Sequence, residues 1–447
     1  MLALVLLVGC NGKPASQDSG GDTGGAVAVA CAQQPCVTDV AAAQWAGAET
    51  TQFAASSLAA WGDTVVVGSV GETYAGVDCS AAALRLPDLA QTATWPCEMY
   101  FALGGAAIAI GDPDGDGAPI VAVGQAGDWE WHTRVFVLDA AATGSLADAA
   151  SLVVTAGPQD KLATDLVFAA VGAGDDALLV MGAVGGIGIA DGALYAVDPA
   201  VTGEVAAASL DLALRGGPGF GGEFAAVDLD GDGQLDLAVT ASMYGGVALF
   251  PGPWTGVGSE DDALGVWTNT DTQSGLGEVV EPVGDVTGDG VDDFAFSAAT
   301  WGTDPFRTGR VYVVAGSTTG LGFGPVDDVP IQVHGGFLGE GAGFGIAGAD
   351  VTGDGTTDLV VGASGVPPGR SPGAVLVFPG PVSGISQTED APYQVHGEND
   401  FDLFGRAMAV VDADGDARDD LVVGAHWWPA GEGRGAVYLL LGADIAP

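Results

Sequence analysis

Five short segments place aspartates at alternate positions around a glycine, beginning at Asp112, Asp228, Asp285, Asp350 and Asp412. Counted from each start, position three is Asp114, Asp230, Thr287, Thr352 or Asp414, position four is glycine, and position five is Asp116, Asp232, Asp289, Asp354 or Asp416. Position nine is Asp236, Asp293, Asp358 or Asp420, but Ile120 in the earliest segment. Position seven carries unrelated side chains (Ala118, Gln234, Val291, Thr356, Arg418), as expected where only the backbone carbonyl is used. Oxygen donors alternating along a tight turn suit Ca2+, which takes several carboxylate and carbonyl oxygens. The spacing therefore predicts four to five Ca2+ sites, the earliest weakest because it lacks the carboxylate at position nine. Read without metal, the same segments are Asp-Gly hairpin turns.

The elements around these loops are strands. A helix-flanked calcium loop needs a glutamate at position twelve, whereas here apolar runs such as DLAVTA and DLVVGA follow directly from position nine. These runs are four to six residues long and bounded by Gly, Asp and Pro, which is strand length. The residue after each run marks a repeat: Gly68, Gly124, Gly182, Thr240, Ser297, Gly362 and Gly424, spaced 56 to 65 residues apart. Seven units of four short strands predict an all-β, seven-bladed β-propeller of four-stranded blades. The last unit stops after its third strand, so the segment Val37 to Trp45 is expected to close the seventh blade. The units around Gly68 and Gly182 have lost the aspartate loop.

Composition narrows the partners. Eleven Lys and Arg against 58 Asp and Glu give a net charge of −47, which excludes a nucleic-acid partner because a phosphate backbone needs a basic footprint. The run Met1 to Val8 is too short to span a bilayer, and its ending in Leu7-Val8-Gly9-Cys10 resembles the lipobox of bacterial lipoproteins. That resemblance implies a signal peptide over 1–10 and a lipid on Cys10 as the only membrane contact. Residues 11–36 read as a flexible Gly/Ser/Asp tether and 37–447 as the propeller. Cys79 and Cys97 lie at equal distances from the turn at Asp88, which predicts a cross-strand disulfide and leaves Cys31 to pair with Cys36. A metal site built on the cysteines is the weaker alternative.

Phe-Gly, then D-x-D-G-D-G-x-x-D-L-V-V-G-A, then G-x-V-Y-V-F resembles the FG-GAP repeat of the integrin alpha-subunit head, over essentially Val37 to Gly442. The resemblance implies that the calcium loops join strands one and two on one face and that ligands meet the loops joining strands two and three on the other. Those loops hold five of the ten tryptophans and five of the nine arginines, the mark of a binding surface. Trp129, Trp131, Trp301, Arg307, Arg310, Trp427, Trp428 and Arg434 are the candidate ligand contacts; alternatively these tryptophans cover the central channel. His334 and His396 recur at one repeat position and read as structural. The expected function is a calcium-stabilised, lipid-anchored module on a bacterial cell surface that binds or adheres to an extracellular protein or glycan, and not an enzyme. The alternative is a polysaccharide lyase or hydrolase, for which His132, His426, Tyr74, Tyr244 and Arg310 are the candidate acid–base groups.

Overall fold

The structure, a computed structural model, describes residues 5–7, 27–29, 36–47, 54–69, 80–96, 103–126, 133–156, 160–172, 176–185, 191–241, 245–269, 275–302, 308–336, 340–364, 372–429 and 434–446. Seven sheets of four or five strands form the blades of a propeller, and their inner strands meet round a central channel. In the seventh blade the order from the inside is Phe404–Val411, Asp420–Ala425, Ala436–Leu440 and then Ala41–Ala46 from the other end of the chain. The closing strand is thus 41–46, and residues Val37–Val40 expected to begin it form a single helical turn. In the segment expected to be signal and tether, Val5–Leu7 and Val27–Val29 pair as a short parallel ladder.

Burial explains why the second strands read as unbroken apolar runs rather than alternating ones. Asp236–Ala241, Asp293–Ala298, Asp358–Ala363 and Asp420–Ala425 are buried on both faces, because each blade is covered by its two neighbours. The core is accordingly divided into seven apolar clusters, one at each seam between adjacent blades. A sheet built this way has no exposed face to lose, only its outer edge.

Four blades protect that edge with a fifth strand. Gly203–Ala206, Val257–Ser259, Gly324–Pro325 and Ile385–Gln387 each leave their own blade and pair in parallel with the outer strand of the blade before. After each of these latches a one-turn 3-10 helix follows, and in two its acid caps the latch: Ser259 N–H donates to Asp262 (2.7 Å) and Gln387 N–H to Asp390 (2.8 Å). The amino-terminal segment repeats this device, with Cys36 bridged to His396 of blade 6 and Cys36 N–H donating to Asp39 (3.4 Å).

The Phe-Gly pair marks a bulge in the inner strand. Gly405 sits at φ +89° where the register slips between Phe404 and Met408, a conformation that disfavours any side chain. In blade 6 the bulge glycine is Gly343 (φ +97°), two residues before the Phe344-Gly345 that the sequence pattern suggests.

Candidate functional site

The aspartate loops join the first and second strands of blades 2, 4, 5, 6 and 7. In the second loop the Asp228 carboxylate takes the Asp232 N–H on one oxygen (3.0 Å) and the Gly233 N–H on the other (2.9 Å). Asp232 in turn accepts the Gln234 N–H (2.8 Å). The other loops repeat these bonds, except that in the last the Gly415 N–H replaces that of Asp416 on Asp412, so backbone donors aim the acids inward before any ion arrives. Left-handed glycines at positions four and six make the turn possible; at position six of the last loop stands Ala417 (φ +68°), which carries the strain glycine avoids.

Three carboxylates lie within 4.8 Å of one another in three loops: Asp112, Asp114 and Asp116; Asp228, Asp230 and Asp232; Asp412, Asp414 and Asp420. Where threonine stands at position three, its hydroxyl turns to the position-nine acid, Thr287 to Asp293 (3.5 Å) and Thr352 to Asp358 (3.4 Å). The ion pairs Arg85–Asp88 and Arg310–Asp327 lie outside these loops. Each pair of like charges at that separation repels by about 1 kcal/mol even in water. The donor set is all oxygen and acidic, and Arg418 of the last loop donates to the Ala446 carbonyl (3.1 Å), so the set fits Ca2+.

Position nine has a second task. Asp293 is fully buried; its carboxylate takes Thr287 N–H (2.9 Å) from its own loop and Gly316 N–H (2.9 Å) from the connection between strands three and four. Asp358 makes the same two bonds, and Asp236 and Asp420 make the same pair with the position-two N–H of Leu229 and Ala413 as the donor from the loop. Burial outweighs those donors and pushes Asp293 up to about 6, and it raises the other three above the usual carboxylate range. Ile120 leaves blade 2 without this brace.

On the opposite face the loops between strands two and three lie largely outside the described residues, and with them Trp129, Trp131, Arg307, His132, Tyr74 and Tyr244. Cys10, Cys31, Cys79 and Cys97 also lie outside; the last described rung beside the Cys79–Cys97 pair joins Ser80 to Pro96. Cys36 is buried, its Sγ 3.7 Å from the Gly397 carbonyl. Of the described candidates, Arg310 stacks 4.1 Å over Trp301 and pairs with Asp327 (3.3 Å). The adjacent tryptophans part company: Trp427 is 44% exposed, whereas Trp428 packs on the blade 6–7 core and donates its indole N–H to Glu398 (2.8 Å). Arg434 is half-buried. Trp428 therefore has a structural occupation and Trp427 is the surface presented, while Trp301 is half-buried between the blade 4–5 core and the Arg310 guanidinium. His334 bonds Gln332 (2.7 Å) on the outer strand of blade 5, and burial lowers both His334 and His396.

Sequence reasoning missed the channel. A cavity of about 500 Å³ runs between the inner strands, and Asp165, Glu223, Glu278 and Glu281 line it with Arg406 as the basic member. Asp165, Glu223 and Glu281 stand 58 residues apart, the repeat period, and that recurrence was the available signal. Arg406 lies 4.7 Å over Phe344, with Glu278 and Glu223 as its counter-charges. The walls of the channel surround these acids, with Asp165 and Glu223 half-buried and Glu281 exposed to its lumen. Enclosure, helped by Asp165, pushes Glu281 up to about 8, and it pushes Asp165 up to about 6 against the N–H groups of Phe224 and Leu166. Glu223 is raised well above its ordinary value by burial and by Asp165, Glu281 and Glu278. His426 is pushed down to about 3 by burial and then by Arg406, so it is neutral at pH 7.

A pH dependence follows. An acid raised in the folded state stabilises most below its unfolded value, 4.5 for Glu281, and that contribution is lost as pH rises through about 8. Glu281→Gln, still facing Asp165, Glu223, Glu278 and Arg406, should match the parent near pH 4.5 and exceed its melting temperature at pH 9. The gain is on the order of 1 kcal/mol once channel water screens the charge. Parallel pH-dependent melts of the two proteins would expose the idea as wrong.

Comparison with known proteins places the repeat. Residues 220–258, 342–378 and 404–440, in blades 4, 6 and 7, match the FG-GAP repeat. Integrin alpha-IIb of Mus musculus is 34% identical over 161 residues, 33% of this chain and 15% of that protein. Phosphatidylinositol-glycan-specific phospholipase D is 34% identical over 134 residues in Rattus norvegicus, 28% of this chain and 15% of the enzyme. In Bos taurus it is 30% identical over 234 residues, 47% of this chain and 27% of the enzyme. The matches thus span under a third of each relative. Among the described residues no helix is long and apolar enough to cross a membrane.

Proposed function

We propose that this chain is a calcium-stabilised binding or adhesion module, held at a bacterial cell surface by a lipid on Cys10 and presenting one propeller face to a protein or glycan ligand. The observation that carries the reading is the convergence of acidic loops, three of them with three carboxylates within 4.8 Å, on one face of a propeller. Ca2+ would be held by side-chain oxygens at positions one, three and five, threonine serving at position three of the blade 5 and 6 loops, with the position-nine acids of blades 4 to 7, at four to five sites. Its contribution there is to neutralise the loop; the chain's own part is to hold the opposite loops in register for a ligand. The similarity to integrin alpha-IIb supports a binding role, and the net charge of −47 leaves a nucleic acid outside it.

The two aromatics outside the blade 6–7 core carry the test of the face. Trp427→Ala and Trp301→Ala should each weaken ligand capture tenfold or more on a glycan array or cell-binding assay in calcium, because truncating an aromatic anchor costs about 2 kcal/mol. The melt should stay nearly unchanged for exposed Trp427 and fall for Trp301, which also packs on the blade 4–5 core. Trp428→Ala should instead lower the melting temperature, since its indole is packed and bonded. Full capture by both Trp427→Ala and Trp301→Ala would place the ligand elsewhere. The anchor has its own check: Cys10→Ala should move the protein from the membrane fraction to the soluble one, and unchanged partitioning would remove the lipid.

An enzyme is the second reading, supported by the phospholipase D matches and by the channel, where Asp165 and Glu281 lie on either side of neutrality in one open cavity. Asp165→Asn would abolish such an activity while leaving capture by the Trp427 face intact.

A further inference from the structure

The aspartate loops of neighbouring blades are joined to one another by an unbroken series of short hydrogen bonds. In blade 4 the Leu229 carbonyl, at position two, accepts Ser317 N–H (2.8 Å) from the connection between strands three and four of blade 5. The adjacent Gly316 N–H binds the Asp293 carboxylate of the blade 5 loop (2.9 Å). In that loop the Val286 carbonyl accepts Val382 N–H (2.8 Å) from blade 6, where Gly380 N–H binds Asp358 (3.0 Å). Blades 6 and 7 then meet loop to loop: Asp350 N–H donates to the Asp419 carboxylate (2.7 Å) and Asp419 N–H to the Asp350 carbonyl (3.1 Å). Asp419 is next to the position-nine acid of the last loop.

The series stops at blade 4 because blade 3 has no aspartate loop, although its Val171 carbonyl still accepts Trp254 N–H (2.7 Å). The blade 2 loop stands apart: both neighbouring blades lack the loop, and Ile120 replaces the acid that would brace it.

We propose that the loops of blades 4, 5, 6 and 7 bind calcium as one coupled array, each filled loop raising the affinity of the next, while the blade 2 loop binds on its own. The inference rests on the calcium reading above. An ion ordering one loop of blade 4 or 5 fixes its carbonyl at position two, which holds the next blade's connection and through it that blade's own position-nine acid. Between blades 6 and 7 the Asp350–Asp419 bonds join the loops directly, so in each case the next ion orders less. The physical content is a coupling carried by two-sided contacts, and it is measurable as a shift in the neighbours' midpoints.

The experiment is hydrogen exchange of the full-length protein across a calcium titration, with calcium chloride as the only probe, in the parent, in Asp354→Asn and in Asp354→Ala. Asp354→Asn keeps an acceptor for Thr356 N–H (2.9 Å), so the blade 6 turn survives while one carboxylate is lost. The expected result is a protection midpoint about fivefold higher or more in residues 285–292 and 412–419 of both variants, and an unchanged midpoint in residues 112–119. Neighbouring midpoints within twofold of the parent overturn the coupling and leave independent calcium sites standing. An equal shift at residues 112–119 overturns it too, since the effect would then be global. Calcium-independent exchange of every loop in the parent would defeat both the array and the calcium reading.

Discussion

Millimolar calcium raises the melting temperature of this chain by several degrees over its value in chelator, and Asp232→Ala forfeits more of that gain than Asp116→Ala. Each ion that binds only the folded state adds about 1.4 kcal/mol at tenfold excess over its dissociation constant. Loops of this kind in extracellular modules bind at roughly 10⁻⁴ to 10⁻³ M. Four such sites supply about 6 kcal/mol together. The difference between the two variants arises because the loop of Asp232 has a carboxylate at position nine and that of Asp116 has Ile120. Melts that coincide with and without calcium would show the acids to be turn formers alone.

Asp358→Ala, by contrast, destabilises the protein by about 2–4 kcal/mol in chelator as well as in calcium. The Asp358 side chain is buried and holds Thr352 N–H (2.9 Å) and Gly380 N–H (3.0 Å), both of which the substitution leaves without their acceptor. An orphaned buried donor costs about 1–3 kcal/mol. Asp354, at position five of the same loop, is exposed and bonds only Thr356 N–H (2.9 Å), so Asp354→Ala loses little in chelator and more in calcium. Denaturant unfolding under the two conditions separates the brace from the ligand. Equal losses for the two variants in chelator would contradict this division of labour.

Strong periodic signals made the architecture legible. The apolar second strands are buried on both sides and had to be continuous, and the loops need glycine at fixed positions, so both survive in every blade that uses them. The fifth strands did not show, because Val257–Ser259 and Ile385–Gln387 are three residues each and partly polar, and their pairing is with another blade. In blade 6 the bulge tolerates Ala342-Gly343 in place of Phe-Gly, since only the glycine is demanded by φ. The roles of Trp427 and Trp428 were beyond sequence because adjacent residues there face different surroundings, one water and one the seam between blades. The position-nine aspartates looked like ligands only; their bonds to a glycine some 16 to 23 residues later became apparent with the fold.

The most direct test of the account is the calcium content of the folded protein, measured by equilibrium dialysis or native mass spectrometry at low-millimolar calcium. Four ions should be retained, with a fifth entering the blade 2 loop at higher concentration, and Asp232→Ala, Asp289→Ala, Asp354→Ala and Asp414→Ala should each remove at least one. A folded chain that retains no calcium, or whose count is indifferent to those substitutions, would contradict it.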